Sequence, residues 1–120
     1  MIEFIANMPE NVVAVKGSGK VTAKDYDDVL VPSIEDKLGK HKKIRMLYEL
    51  GRDFSGFTPG AMWDDAKVGI RHITAFEKIA VVSDIEWIHA AVNVFAFLIP
   101  CPVRVFGTAE LNEAKHWVSE

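Results

Sequence analysis

The sequence predicts an α/β domain: a small mixed β-sheet of about five strands with about four helices packed around it. Three observations lead there. Short β-branched runs alternate with longer segments of helical period in the order ββαβαβαβα. The passage from Leu50 to Asp84 runs from one apolar strand, through a loop and a helix, into the next, which is the pattern of a right-handed parallel crossover. Within it Ile79-Ala80-Val81-Val82 is continuously apolar, as suits a strand covered on both faces. With 120 residues, the chain fits a single domain spanning residues 1–120.

Met1 to Ile5 and Val12 to Val15 read as an opening antiparallel pair, and Gly17-Ser18-Gly19 ends the second strand. Those glycines lack the spacing of a phosphate-binding loop. Thr22 caps the first helix, with Asp25 completing a capping-box variant. Tyr26, Leu30, Ile34 and Leu38, four residues apart, mark its buried face. Pro32 predicts a kink or break near Val31, because its ring removes a donor and crowds the carbonyl four residues back. Gly39 suits the position just after the helix end.

Ile44 to Leu50 is a strand with Ile44, Met46, Tyr48 and Leu50 on one face and Leu47 on the other. Thr58 caps a second helix, and Pro59 fits its first position, where a missing N–H costs nothing. Met62, Ala66, Gly69, Ile70 and Ile73 form its apolar arc, with Trp63 at the border. Lys78 to Ser83 is the next strand. A third helix runs from about Ile85 to Leu98, and Pro100 and Pro102 end it before a strand at Val103 to Phe106. Glu110 to Val118 closes the chain as a helix with Leu111, Ala114, Lys115 and Val118 at helical spacing.

Several function classes fall away on composition. A net charge of −3 is not the basic face of a nucleic-acid binder, so no nucleic-acid partner is expected. The basic cluster at Lys37, Lys40, His41, Lys42, Lys43 and Arg45 reads as a solvated helix end and loop. One cysteine, Cys101, excludes an internal disulfide and a cysteine-based zinc site. His41, His72, His89 and His116 lack metal-ligand spacing, so no metal and no cofactor are expected. Asp64 and Asp65 are adjacent, point ~100° apart on a helix and do not converge on one atom. There is no signal-peptide pattern, and no apolar run approaches the ~18 residues of a membrane span. A cytoplasmic protein without stable membrane insertion is the expectation.

The run D-F-S-G-F-T-P-G-A-M-W-D-D-A-K-V-G-I-R-H, followed by F-E-K-I-A-V-V-S-D, resembles the SpoIIAA-like proteins related to STAS domains. Y-D-D-V-L-V-P upstream, and P-V-R-V-F-G and E-A-K-H-W downstream, extend the resemblance over nearly the whole chain. It implies a small mixed sheet with helices around it, an architectural relationship to the lipid-binding SEC14 (CRAL-TRIO) domains, and no established enzymatic activity. Anti-sigma-factor antagonists of the wider STAS group carry a phosphorylatable hydroxyl in a D-S-[ST]-G loop at a helix start. The resemblance puts Asp53-Phe54-Ser55-Gly56 at that place and makes Ser55 the candidate regulatory phosphosite. Phe54 departs from the pattern, and Thr58-Pro59 starts the helix a few residues later.

The third helix carries more apolar surface than one sheet can cover. Glu86, His89 and Asn93 form a narrow polar stripe, and Trp87, Ile88, Ala91, Val92, Val94, Phe95, Phe97 and Leu98 occupy the rest. The apolar arc is about twice the ~100° that packing on a sheet needs. A second apolar partner follows: the chain's own last helix through Trp117, a second subunit, or a lipid-like ligand, in that order. Trp87, Ala91, Val94, Phe95 and Leu98 are the candidate interface or ligand residues. Asp53, Ser55, Ser83, Asp84 and Thr108, at the carboxyl ends of the strands, resemble loop and cap residues with no base beside a nucleophile. The leading expectation is a non-enzymatic regulatory or protein-interaction module that forms a homodimer or binds a protein partner. The alternative is a small carrier or sensor of an apolar ligand.

Overall fold

The computed structural model describes the backbone of all 120 residues, and every side chain except those of residues 63–66, 68–70, 73 and 95. Five strands, β1 (Ile2–Phe4), β2 (Val12–Val21), β3 (Ile44–Phe57), β4 (Phe76–Ser83) and β5 (Val103–Phe106), form one sheet in sequence order. β1 pairs antiparallel with β2, and the other neighbours are parallel.

The first helix, α1, runs unbroken from Ala23 to Lys40, as α-helical Ala23–Asp25, a π-helical stretch Tyr26–Leu30 and α-helical Val31–Lys40. Its capping box is formed as expected, with the Thr22 hydroxyl accepting from the Asp25 N–H and the Asp25 carboxylate accepting from the Thr22 N–H. Pro32 does not break the helix. The widened π turn precedes it, and the Val31 N–H reaches back to the Tyr26 carbonyl, a common way to relieve a disturbed i→i−4 ladder. Gly39 lies inside the last turn, and His41 ends the helix in extended conformation. Tyr26, Leu30 and Ile34 are buried along the predicted face.

Three further helices follow: α2 (Pro59–His72), α3 (Glu86–Phe95) and α4 (Leu111–Ser119). Each parallel crossover moves one strand along in the same direction. A right-handed connection therefore lays α1, α2 and α3 on one face of the sheet. Their buried residues, including Tyr26, Ile34, Ala61 and Ile88, share a core with Val13, Val15, Met46 and Tyr48. The opposite face holds a second core in which Ala114 and Val118 of α4 cover Ala14, Leu47, Ala80 and Val82. Leu47 is thus the buried apolar side chain that β3 presents to α4, flanked on that face by Arg45 and Glu49.

α4 is held there by cations. Arg45 donates to the Val118 carbonyl at 2.9 Å and Lys78 to the Trp117 carbonyl at 3.0 Å, satisfying orphan acceptors at the negative end of the helix dipole. Lys78 and Arg104 also stand 5.1 and 5.4 Å from the centre of the Trp117 ring. Trp117 packs against Phe106 on this face. The expectation that the last helix covers α3 is overturned, because the two helices lie on opposite sides of the sheet.

Two strands are longer than their sequence suggests. β2 continues through Gly17-Ser18-Gly19 to Val21, with register shifts on both sides of Gly19 and a left-handed φ of 57° there. Gly17 has no room for a side chain, since a Cβ would stand 2.9 Å from Leu50 Cδ2. The glycines are therefore a bulge and a close approach inside a strand rather than its end. β3 runs on to Phe57 by pairing Phe54, Gly56 and Phe57 with Gly19, Lys20 and Val21. What looked like a loop before α2 is sheet.

Candidate functional site

The site is α3 and the hollow beneath it. α3 begins after β4 with its first groups tied to the strand end. The Ile85 N–H donates to the buried Ser83 hydroxyl at 3.1 Å, and the His89 ring N–H donates to the Ser83 carbonyl. Ile88 is buried, and Ile85 and Val92 pack against the same core. The contact is incomplete. Ile79 and Val81, in the strand expected to be covered on both faces of the sheet, are only partly buried.

A hollow of about 330 Å³ opens between α3, the start of α2 and the sheet. Its floor is Tyr48, Leu50 and Val81, and its sides are Phe57, Met62, Trp87, Ile88, Ala91 and Val92. A second hollow of about 220 Å³ continues beyond Ala91 and Val92 toward Val103 and is entirely apolar in its lining residues. The extension of β3 supplies one wall: Phe54 and Phe57 bring their rings 6.2 and 6.5 Å from Trp87. Behind them the Tyr26 and Tyr48 hydroxyls are 3.2 Å apart, in a buried hydrogen bond.

The candidate residues divide between two sides of α3. Ala91 faces inward and lines both hollows. Val94 and Leu98 face outward, 56% and 59% exposed. Trp87 stands at the border, against Phe54 and Phe57 yet 53% exposed. Phe95 lies outside the described side chains, as do Trp63, Asp64, Asp65 and the arc residues Ala66, Gly69, Ile70 and Ile73. Met62, expected on the sheet side of α2, is instead 62% exposed at the rim of the hollow, and Ala61 is buried in its place. Ser55 is exposed on the β3 extension, three residues before the Thr58 hydroxyl that accepts from the Ala61 N–H at 3.2 Å. It sits on a strand rather than in a loop. Tyr48, Leu50, Phe57 and Val81 were absent from the expected site, because periodicity marks the faces of one helix and says nothing about what stands opposite.

A profile of the SpoIIAA-like proteins matches residues 12–119. The chain belongs to the SpoIIAA-like family. Its fold is also similar to the crystal structure of an uncharacterised protein of the DUF3478 family with a SpoIIAA-like fold, from Shewanella loihica PV-4. That similarity has a TM-score of 0.79 and 25% identity, over 98% of this chain and 93% of the other. No curated protein matches the chain.

The strand ends of this SpoIIAA-like domain bring together Ser83, Asp84 and His89, the residue types of a hydrolytic triad, but not its contacts. The Ser83 hydroxyl takes the Ile85 N–H, and the His89 ring meets the Ser83 main-chain carbonyl. Asp84 accepts from the Thr108 N–H at 2.9 Å and from the Thr108 hydroxyl. The Thr108 hydroxyl and N–H hold the Asp84 carboxyl below the usual carboxylate range against slight desolvation, and Arg52 and His89 add to the effect. Gly107 leaves room beside it, since a Cβ would stand 3.1 Å from Asp84 Oδ1 and press on the carboxylate. These groups act as caps and a clamp between the ends of β4 and β5. Burial pushes the thiol of half-buried Cys101 up, which disfavours the nucleophilic thiolate. Among the described residues, no three His, Cys, Asp or Glu side chains come together as metal ligands, and no helix is long and apolar enough to cross a membrane.

Proposed function

We propose that the protein is a non-enzymatic regulatory module that acts by binding, with α3 and the hollow beneath it as the working surface. The observation that carries this reading is the hollow of about 330 Å³, lined by side chains that are apolar but for the Tyr48 hydroxyl and the Trp87 indole N–H. The polar residues at the strand ends, by contrast, are engaged in local capping. Small-molecule and side-chain recognition sites are concave and mostly apolar, with volumes starting at about 300 Å³.

The second reading, a carrier or sensor of an apolar lipid-like ligand, is favoured by the continuation into the hollow of about 220 Å³, which extends the apolar lining past Ala91 and Val92. Ala91 lines both parts and is the residue to enlarge. Titration with the apolar fluorophore anilinonaphthalene sulfonate should show saturable binding to the wild type and at least about a tenfold loss of affinity in Ala91→Phe, whose ring fills the cleft. Equal binding by both proteins would refute the hollow as the working surface. Native mass spectrometry of the purified protein separates the readings, because a carrier should retain an apolar adduct that Ala91→Phe lacks.

Ser55 remains the proposed regulatory phosphosite. Its support is its exposure on the β3 extension, three residues before the Thr58 cap of α2.

A further inference from the structure

The hollow uses one side of α3, and the other side has its own pattern. The exposed residues of the segment from Glu86 to Leu98 include Glu86, Trp87, Ala90, Asn93, Val94, Phe97 and Leu98, and five of these seven are apolar. An outward helix face is ordinarily charged. Trp87, Ala90, Val94 and Phe97 follow i, i+3, i+7 and i+10, the narrow spacing of a helix–helix seam, with Phe97 in the 3₁₀ turn Ala96–Leu98 that extends α3. The stripe runs about 15 Å at 1.5 Å per residue. That is a line of contact suited to another helix.

Three physical arguments select a second copy of this chain as the partner. The first is area. Trp87, Val94, Phe97 and Leu98 are 53, 56, 79 and 59% exposed. Together they leave on the order of 450 Å² of apolar surface, within the roughly 300–600 Å² of the largest patches on monomers, which are often functional. A twofold contact buries this on both copies, and with the flanking Glu86, Ala90 and Asn93 it reaches the ~1,000 Å² that a specific interface requires. The second is symmetry. The stripe is self-complementary when run antiparallel: bulky Trp87 meets the Phe97–Leu98 end of the other copy, and small Ala90 meets Val94. The third is charge. From Glu86 to Leu98 the single charged residue is Glu86, and an antiparallel pair separates the two copies of it by more than a Debye length. A lipid surface is the weaker partner for this stripe, since a helix lying on a membrane carries Lys or Arg along its polar border and this segment contains neither.

We propose that the outer face of α3 is the interface of a homodimer, with the two α3 helices antiparallel across a twofold axis between Ala90 and Val94. The inference rests on the reading of α3 as a binding element, but it uses the outer face, which shares only Trp87 with the hollow. Sedimentation equilibrium across micromolar concentrations should give twice the mass of one chain for the wild type. Val94→Glu should raise the dimer dissociation constant at least about tenfold, because the charge would be buried without a partner. Val94 is 56% exposed within one chain, so the urea midpoint of Val94→Glu extrapolated to low protein concentration should be unchanged.

The same samples are assayed for fluorophore binding, which keeps the two proposals separable. A dimer that ignores Ala91→Phe and dissociates with Val94→Glu, while Val94→Glu still binds fluorophore, supports both. A monomeric wild type that binds fluorophore overturns the dimer and leaves the hollow standing. A Val94→Glu protein as dimeric as the wild type overturns this interface. Flotation of a monomeric wild type, but not of Val94→Glu, with phosphatidylglycerol–phosphatidylcholine vesicles would transfer the stripe to a lipid surface and overturn the dimer.

Discussion

Leu47→Ala is the sharpest probe of the arrangement that leaves α3 uncovered, because it tests the seat of α4. Leu47 lies in the central strand with Ala14 and Ala80 as its lateral register partners. It is fully buried in the core that Ala114 and Val118 complete from above. Truncation removes three carbons at about 0.8 kcal/mol each, or about 2.4 kcal/mol of transfer energy. The void cannot close easily. Three of the surrounding residues are already alanine, and α4 is fixed by the bonds of Arg45 and Lys78 to its last carbonyls. A residual cavity then adds about 1–2 kcal/mol, for a total near 4 kcal/mol. In urea, with m of roughly 2 kcal/mol/M, the unfolding midpoint should fall by about 2 M at unchanged m. Met62→Ala, at a 62% exposed position, is the control and should shift stability by less than about 0.5 kcal/mol. A loss below about 1.5 kcal/mol for Leu47→Ala at unchanged m would refute the reasoning, since it would mean that α4 does not seal this face.

Further outcomes follow from the local chemistry. The Asp25 carboxyl is pushed up by burial, but the Thr22 N–H and hydroxyl and the N-terminal ammonium outweigh that and hold it below the ordinary carboxylate value. Its stabilising effect is therefore complete above about pH 4 and disappears as the pH falls through the lower folded value. Asp25→Asn should destabilise at pH 7 by about 1 kcal/mol and flatten the acid limb of a stability–pH curve, so an unaltered limb would contradict the assignment. Gly19→Ala should cost about 1–2 kcal/mol in the same urea assay although nothing lies within 4 Å of its Cβ, because the φ of 57° is unfavourable for any L side chain. Ser55→Glu should leave stability within about 0.5 kcal/mol, as the site is exposed, and phosphopeptide mapping of the protein from its native cells should find Ser55 modified. Complete absence of that phosphopeptide would remove the switch.

Much of the frame was legible in the sequence where the signal was local. The Thr22–Asp25 capping box and the Thr58-Pro59 helix start depend on a few neighbouring atoms, and both formed as expected. The reading of Gly17-Ser18-Gly19 as a strand end and of residues 51–57 as a loop failed together, because each strand extension exists by pairing with the other. Pro32 announced a disturbance of α1 but could not say that one widened turn would absorb it. For the candidate site, periodicity revealed the surplus of apolar surface on α3 and identified Trp87, Ala91, Val94 and Leu98 as its carriers. It could not divide them into an inner and an outer set.

By itself the sequence determined the α/β class, the order of strands and helices, the two faces of β3 and the apolar excess after Asp84, since these are written in periodicity, caps and residue type. Tertiary structure alone decided that α4 crosses to the far side of the sheet. Successive right-handed crossovers had filled the near side with α1, α2 and α3, and Leu47, Ala80 and Val82 required a cover of their own. With Trp117 packed on Phe106 beneath Lys78 and Arg104, α4 leaves the outside of α3 uncovered, and Val94, Phe97 and Leu98 stay exposed. Its apolar stripe stays in water unless something from outside the chain covers it.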